Sequence, residues 1–369
     1  MMLLNRIGLP LALSFILAVS ASGQSRRVAP APTPTPQDDE AVRVLTEEIK
    51  LNVLAFDEAG KFVPDVKASD LVITENNILH QPSSVRRIPA SVLIVMDTGG
   101  ELRQVKSLDQ TRRTARSVVN ALKPGDMVAI MQYSDKAEIV SEWTDNKEQT
   151  LKAIARTNFG RRSAFVDAVK KATDFMLKGG MDNKHLVLIT DGTDSSADAY
   201  SKSRALNRLL STDISVHVIS YGQMEAADIL PRTKSVTNTP PPKAMPDEVA
   251  AQLPNGVRDV ATAPKWKTIN LDRTMLRRLK ARKADLENSE VQLGAIAEGT
   301  NGEIMIPSSL DEMIEKSAAV AKLIDASYVV TYTPMIPFTE SNAERVIDVT
   351  SKRPGLIIQA RRKITVSTQ

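Results

Sequence analysis

The chain has 369 residues, of which 42% are hydrophobic and 25% are charged, proportions typical of a globular protein. The formal net charge is only +4, and no nucleic-acid-binding motif accompanies the short basic clusters, so nucleic acid is not an expected partner. The sequence contains no cysteine, so the protein must be stable without disulfides.

The N-terminus has the pattern of a secretory signal peptide over residues 1–23. Arg6 supplies the positive charge, residues 7–19 form an apolar run, and small residues at 21–23 provide a cleavage site. The apolar run is too short to span a bilayer stably, which disfavours the alternative of an uncleaved anchor. We therefore expect an exported protein, periplasmic or extracellular, with no membrane span after cleavage. A Pro-rich linker follows at 24–40.

Short strands are predicted at both ends of the mature chain. In the N-terminal segment 41–88 they lie at 49–56 and 71–74, and in the C-terminal segment 325–369 they lie at 327–332, 345–350 and 356–360. We expect the C-terminal segment to pack with residues 41–88 and to complete a small β-sandwich-like unit.

Between these segments, residues 89–324 alternate strand and helix patterns. Strands are predicted at 91–97, 127–134, 137–142, 184–190, 214–221 and 303–306, and helices at about 102–122, 147–156, 163–178, 199–211, 288–298 and 309–324. Apolar runs separated by helices predict an α/β fold with a doubly wound, mostly parallel sheet. The tight turn at 134–136 makes 137–142 an antiparallel edge strand.

Residues 223–285 interrupt this alternation. Prolines recur from Pro231 to Pro264, and they predict an insertion without packed elements up to about residue 270. A basic helical segment follows, which includes Arg273 and Arg282. We interpret it as a solvated helix face rather than a site for an anionic partner.

Two of the predicted strands end in an aspartate that is followed by glycine within two residues, at Asp97 and Asp191. Because the carboxyl ends of parallel strands share one edge of the sheet, where open α/β folds bind ligands, these two carboxylates should converge. Their convergence predicts a divalent-cation site. The alternative for Asp97 is an ordinary cap on the helix that follows it.

Three segments follow one another along the chain, Val95-Met96-Asp97-Thr98, Lys123-Pro124-Gly125-Asp126 and Thr190-Asp191-Gly192, and two C-terminal segments lie at 328–334 and 352–356. The order of these motifs resembles the von Willebrand factor A (VWA) domain, and with the flanking β segments it is similar to the secreted, acidobacterial-type VWA-related proteins. The resemblance covers nearly the whole mature chain. It implies a Rossmann-like fold that serves protein–protein interaction or adhesion rather than catalysis.

The resemblance further implies a metal-ion-dependent adhesion site for Mg²⁺ or Mn²⁺, built in the family from Asp-x-Ser-x-Ser, a threonine and a second aspartate. Asp97 and Asp191 match the two aspartates, and Ser163 stands where the family has threonine. Gly99 and Glu101 replace the two serines, so the site is degenerate. The metal ligands implied are Asp97, Glu101, Ser163 and Asp191, and the partner-binding residues are Thr98, Gly99, Arg162 and Thr193.

These replacements change the charge expected at the site. In the family pattern, neutral hydroxyl ligands leave the ion net positive, so that it can capture a carboxylate of a partner protein. Gly99 offers no side-chain oxygen, and Glu101 would place a third carboxylate beside Asp97 and Asp191. An ion held by three carboxylates would be a poor acceptor for a partner's acidic group.

Three functions are compatible with the sequence. The first is an exported, non-enzymatic binding or adhesion module with a partial divalent-cation site and an unidentified protein partner. The second is a structural scaffold of the cell envelope with a vestigial metal site, which the loss of both serines favours. The third is an actin-like Mg-nucleotide hydrolase, based on the turn at 97–100, although that fold needs a β-hairpin where a helical pattern begins at Leu102.

Overall fold

The computed structural model describes residues 48–100, 107–234, 273–336 and 345–361, with short pieces at 236–237, 251–252, 254, 268–269 and 363–364. The strands are β1 Ile49–Asp57, β2 Leu71–Glu75, β3 Ile78–His80, β4 Ser84–Arg86, β5 Ser91–Asp97, β6 Met127–Tyr133, β7 Ala137–Thr144, β8 Lys184–Thr190, β9 Ser215–Ser220, β10 Val236–Thr237, β11 Thr268–Ile269, β12 Ile304–Met305, β13 Ser327–Tyr332, β14 Arg345–Ser351, β15 Leu356–Ala360 and β16 Lys363–Ile364. The helices are α1 Leu108–Ala121, α2 Lys147–Ala155, α3 Phe165–Lys178, α4 Ala199–Leu210, α5 Gly222–Arg232, α6 Arg273–Gly299 and α7 Leu310–Asp325, and a 3₁₀ turn spans Ala68–Asp70.

A six-stranded sheet in the order β12-β9-β8-β5-β6-β7 forms the centre of the fold. Its strands are parallel except for β7, which runs antiparallel to β6 at the edge. Successive side chains of β5 point to opposite faces: Leu93 and Val95 pack towards α3, α4 and α6, whereas Val92 and Ile94 pack towards α1, α2 and α7. The predicted doubly wound α/β fold with one antiparallel edge strand is therefore confirmed.

Strands from the two ends of the described chain form two further antiparallel sheets, in the orders β15-β1-β13-β4 and β16-β14-β2-β3. Apolar side chains of both sheets belong to one buried cluster, so the sheets pack face to face. Asn52 of β1 donates to Ser215 Oγ at the start of β9 (3.0 Å), and Asn183, just before β8, donates to Ser327 Oγ of β13 (3.3 Å). The sandwich thus contacts the amino ends of the central strands and leaves their carboxyl edge to other elements.

The interruption after β9 differs from the prediction. A packed helix, α5, occupies Gly222–Arg232, where an insertion without elements was expected, so that expectation was wrong over these residues. Pro231 is the penultimate residue of α5, so the hydrogen bond that it cannot donate and the steric conflict of its ring with the preceding turn both fall at the end of the helix. Most of the later prolines lie outside the described residues. Ile229 of α5 packs against Leu279 and Leu286 of α6.

Helix α6 runs without a break from the basic segment to Gly299, whereas two separate helical pieces were predicted. The first predicted helix also begins later than expected: α1 starts at Leu108, and residues 101–106 lie outside the described chain. Among the described residues, no helix is both long enough and apolar enough to cross a bilayer. The signal-peptide segment 1–23 and the linker 24–40 are not among those residues.

Candidate functional site

The structure brings three of the four predicted metal ligands to one edge of the central sheet. Asp97 is the last residue of β5, and Asp191 directly follows the neighbouring parallel strand β8, with Met96 paired to Ile189. Both aspartates are fully buried, at 0% exposure. Ser163 precedes α3 and donates from Oγ to the carbonyl of Thr193 at 2.9 Å. The fourth, Glu101, lies outside the described residues.

Asp97 does not cap the helix that follows it. The N-cap of α1 is Ser107, whose side chain accepts a hydrogen bond from the backbone nitrogen of Gln110, while the Gln110 side chain accepts one from the Ser107 nitrogen. Oδ1 of Asp97 instead accepts from the backbone nitrogen of Gly99 at 3.2 Å. The interpretation of Asp97 as a helix cap was therefore wrong, and its carboxylate belongs to the edge of the sheet.

Gly99 occupies a position where a side chain has no room. Its backbone pairs with Gly160 of the loop before α3, and a Cβ atom at Gly99 would lie 1.9 Å from the carbonyl oxygen of Arg162 and 2.9 Å from Cα of Ser134. Those neighbours are backbone atoms, so neither can move away as a flexible side-chain tip would. A serine at this position therefore requires one of the two loops to move.

The carboxylate of Asp191 is engaged through both of its oxygens. Oδ1 accepts from the backbone nitrogen of Thr193 at 2.9 Å and from its hydroxyl at 2.7 Å. Oδ2 accepts from Nη2 of Arg282 at 2.9 Å, and Nη1 of the same guanidinium donates to Thr193 Oγ1. Arg282, Asp191 and Thr193 thus close a ring of hydrogen bonds, in which the Arg282 side chain is only 16% exposed.

Helix α6, which carries Arg282, is fixed against the same edge by further contacts. Gly192 has φ +69°, and a Cβ atom there would lie 2.6 Å from Cδ1 of Leu293, so only glycine allows α6 to approach this turn so closely. Lys202 of α4 donates from Nζ to Ser289 Oγ at 2.9 Å. Burial lowers the pKa of Lys202, and the charge of Asp191 among others opposes that shift.

The side-chain oxygens at this edge of the sheet are not arranged to bind a divalent ion. Mg²⁺ needs oxygen ligands at about 2.0–2.1 Å in octahedral geometry, and the guanidinium of Arg282 already lies on Oδ2 of Asp191. Gly99 contributes no side-chain oxygen. Among the described residues, no three or more His, Asp or Glu side chains are grouped in a way that could hold a metal ion. A positive charge is nevertheless present at Asp191, and the chain itself supplies it.

The predicted partner-binding residues differ in accessibility. Thr98, Gly99 and Thr193 are buried, and the Thr98 hydroxyl donates to the carbonyl of Tyr133. Arg162 is exposed. Its loop is joined to the loop after β8 by two hydrogen bonds between Ser163 and Ser195: Ser163 N donates to Ser195 Oγ at 2.7 Å, and Ser195 N donates to Ser163 O at 2.8 Å.

Sequence reasoning missed the part that Arg282 plays, although the sequence holds a signal for it. The buried residues of α6 lie along one stripe of the helix, at 279, 286, 289, 293, 296 and 297, with a gap of seven residues between the first two and of three or four between the next ones up to 296. Position 282 falls on the same stripe, between Leu279 and Leu286. A cationic side chain on the buried stripe is not solvated. The prediction that the basic segment forms a solvated helix face is therefore wrong at Arg282. It holds for Arg273, Arg277 and Arg278, which are exposed.

Comparison with known protein families agrees with this geometry. Residues 91–247 match the family model of the von Willebrand factor type A domain, and this part of the chain is a domain of that type. The match starts at the first residue of β5 and includes Asp97, Ser163 and Asp191. It supports the VWA interpretation rather than the actin-like one. No curated protein shows significant similarity to the sequence.

Several solved structures are similar to the chain at low sequence identity. A von Willebrand factor type A structure from Catenulispora acidiphila is 9% identical, covers 88% of this chain and 75% of its own, and gives a TM-score of 0.42. An aerotolerance-related membrane protein from Bacteroides fragilis is 16% identical over 64% of this chain and 98% of its own, with a TM-score of 0.40. The protein BatB from Bacteroides thetaiotaomicron is 13% identical over the same shares, with a TM-score of 0.37.

Proposed function

We propose that this chain is an exported, non-enzymatic protein-binding module that contacts its partner through the carboxyl edge of the central sheet. The observation that carries the proposal is the pair of hydrogen bonds between Ser163 and Ser195. These bonds join the loop before α3 and the loop after β8, here called the edge loops, into one surface. Arg161, Arg162, Ser195 and Ser196 are exposed on these loops, and Tyr200 follows at 72% exposure. Arginine and tyrosine are enriched among residues that dominate binding energy at protein interfaces.

A structural scaffold of the cell envelope is the second candidate. Two features favour it: the lack of space for a side chain at Gly99, and the ion pair of Arg282 with Asp191. Both make the carboxyl edge of the sheet unsuited to capturing a partner's carboxylate through a bound cation. The two candidates differ in where contacts should occur. A binding module uses the edge loops, whereas a scaffold has no reason to favour them over other exposed surfaces.

Site-specific photo-crosslinking in cells distinguishes these candidates. A photo-reactive residue is placed at Arg162 or at Ser196, and in the control at Lys61, which is exposed on the turn after β1 in the β-sandwich. The binding module predicts one discrete crosslinked species from both edge positions and none from Lys61. Equal crosslinking from all three positions, or none from any, would contradict it.

Export is part of the same proposal and rests on the signal-peptide pattern of residues 1–23. The resemblance to secreted VWA-related proteins of the acidobacterial type supports it. Mass spectrometry of the protein from fractionated cells tests it directly. The proposal predicts an N-terminus at Gln24 in the periplasmic or extracellular fraction, and an unprocessed chain confined to the cytoplasm would contradict it.

A further inference from the structure

The position of Arg282 is determined by contacts on both sides of it along α6. Leu279 and Leu286, at 4% and 0% exposure, lie about one helical turn before and after it and pack on Ile229 of α5. Farther along α6, Leu293 packs against Gly192 in the turn that follows Asp191. The helix therefore delivers the guanidinium to a fixed place, and the ion pair does not depend on the conformation of a mobile loop.

The guanidinium of Arg282 supplies at Asp191 the positive charge that a bound metal ion would supply. A fully buried carboxylate is costly unless a positive charge and hydrogen-bond donors accompany it. Arg282 supplies the charge and donates from Nη2 to Asp191 Oδ2, while its Nη1 donates to Thr193 Oγ1, whose hydroxyl donates to Asp191 Oδ1. Unlike a Mg²⁺ ion, a guanidinium has no coordination positions, so a partner's carboxylate could contact it only through hydrogen bonds and not as a metal ligand.

We propose that Arg282 takes the place of the divalent cation in this VWA domain, so that the positive charge at the adhesion-site position is built into the chain. The side chain neutralises Asp191, orders the turn 191–193 through Thr193 and excludes Mg²⁺ and Mn²⁺ from Oδ2. The site is consequently independent of metal ions in the intact protein. This inference concerns the charge at the site and holds whether or not the edge binds a partner.

Removal of the guanidinium should reopen the position to metal. In Arg282→Gln, Asp191 keeps its bonds to Thr193 but loses its ion pair with Arg282, and Ser163 Oγ, which donates to the Thr193 carbonyl, is a further side-chain oxygen at this turn. Arg278→Gln is the matched control, since it removes the same charge from an exposed position of the same helix. The double variant Arg282→Gln/Asp191→Asn tests whether any metal gained is bound through Asp191.

The experiment is a Mn²⁺ titration followed by electron paramagnetic resonance, with the melting temperature measured on the same samples. We expect the unaltered protein and Arg278→Gln to show no stoichiometric binding up to about 1 mM Mn²⁺, a concentration at the weak end of the affinities of extracellular Ca²⁺ modules. Arg282→Gln should melt at a lower temperature, bind one Mn²⁺ and regain melting temperature with the metal, and the double variant should lose both gains.

Two results would overturn the proposal. The first is stoichiometric, submillimolar Mn²⁺ binding by the unaltered protein that Asp191→Asn abolishes. The second is a folded Arg282→Gln variant that binds no more Mn²⁺ than the unaltered protein. If Arg282→Gln is unfolded without metal, folding on addition of Mn²⁺ supports the proposal. If Mn²⁺ does not restore folding of Arg282→Gln while the charge-preserving Arg282→Lys variant folds, the result counts against the proposal.

Discussion

His185 of β8 and His217 of β9 face each other inside the protein, with Nδ1 of the first 3.1 Å from Nε2 of the second. Both rings are about 1% exposed, and His185 also contacts Asn183 Oδ1 through Nε2 at 2.8 Å. Burial lowers the pKa of His217 to about 4 and lowers the pKa of His185 well below its usual value. The pair is therefore neutral in the folded protein at pH 7.

This pair predicts a loss of stability in mild acid. An unfolded histidine takes up a proton near pH 6.5, whereas the folded pair resists protonation until far lower pH, so the unfolded state binds more protons as the pH falls below about 6.5. For His217 alone, a pKa of about 4 corresponds to a loss of about 3 kcal/mol once the pH has fallen to 4.

Urea unfolding between pH 7 and pH 5 measures the effect, because this range lies above the ordinary pKa of carboxylic acids. We expect the free energy of unfolding to decrease steadily over this range, and the slope to be smaller in His217→Leu. A stability that is constant from pH 7 to pH 5 would show that the buried pair does not titrate in this way.

Restoring the family's serine at position 99 should damage the protein and should not create a metal site. Gly99→Ser places a Cβ atom 1.9 Å from the Arg162 carbonyl oxygen, and overpacking of this kind costs about 1–3 kcal/mol or more. The matched control is Gly294→Ala in α6, where the nearest neighbour of the added atom is Ile304 Cγ2 at 3.9 Å. Because glycine inside a helix is about 1 kcal/mol less favourable than alanine, this control should leave stability unchanged or raise it.

Chemical denaturation of both variants provides the comparison. A Gly99→Ser protein as stable as the unaltered chain would mean that the loops at 99 and 160–162 are not packed as described.

The β-sandwich contains a buried ion pair, and its disruption should lower the free energy of unfolding substantially. Arg345 contacts Glu75 through Nη1, and the Tyr332 hydroxyl donates to Glu75 Oε2 at 3.2 Å. Arg345→Met leaves the Glu75 charge buried without this counterpart, which costs about 3–5 kcal/mol for pairs of this kind. The exposed pair Arg353–Asp65, at 3.0 Å, is the control, and Arg353→Ala should cost less than about 1 kcal/mol. Equal costs for the two variants, measured by urea unfolding, would be inconsistent with a buried pair in the sandwich.

The sequence was sufficient to predict the central sheet because its strands are apolar runs with clear endings. The bounds predicted for β5 and β8 agree with Ser91–Asp97 and Lys184–Thr190 in the structure, since each run ends where aspartate and glycine begin the edge loop. Parallel strands then required Asp97 and Asp191 to lie on the same edge. The convergence of Asp97 and Asp191 therefore follows from the hydrophobic pattern of the strands and from their parallel topology alone.

The remaining features depend on contacts between segments that are distant in the sequence. Position 282 lies 91 residues after Asp191 in the chain, and nothing in the basic segment identifies its acidic partner. The steric restriction at Gly99 arises from a loop more than sixty residues later, so the missing serine was interpreted only as a lost ligand. The sequence does not predict helix α5 because Pro231 indicates a break in the helix. Only the structure shows that Pro231 lies at the end of α5, where a proline does not prevent the helix.

Arg282 and Asp191 should be energetically coupled in the folded protein. A double-mutant cycle of Arg282→Gln and Asp191→Asn, measured by urea unfolding in the absence of divalent cations, gives their coupling energy. The matched control is the same cycle on the exposed pair of Arg208 and Asp174. We expect a coupling energy of about 1–3 kcal/mol at the edge of the sheet and less than about 0.5 kcal/mol for the control. Strictly additive effects at Arg282 and Asp191 would show that the guanidinium does not stabilise the buried carboxylate.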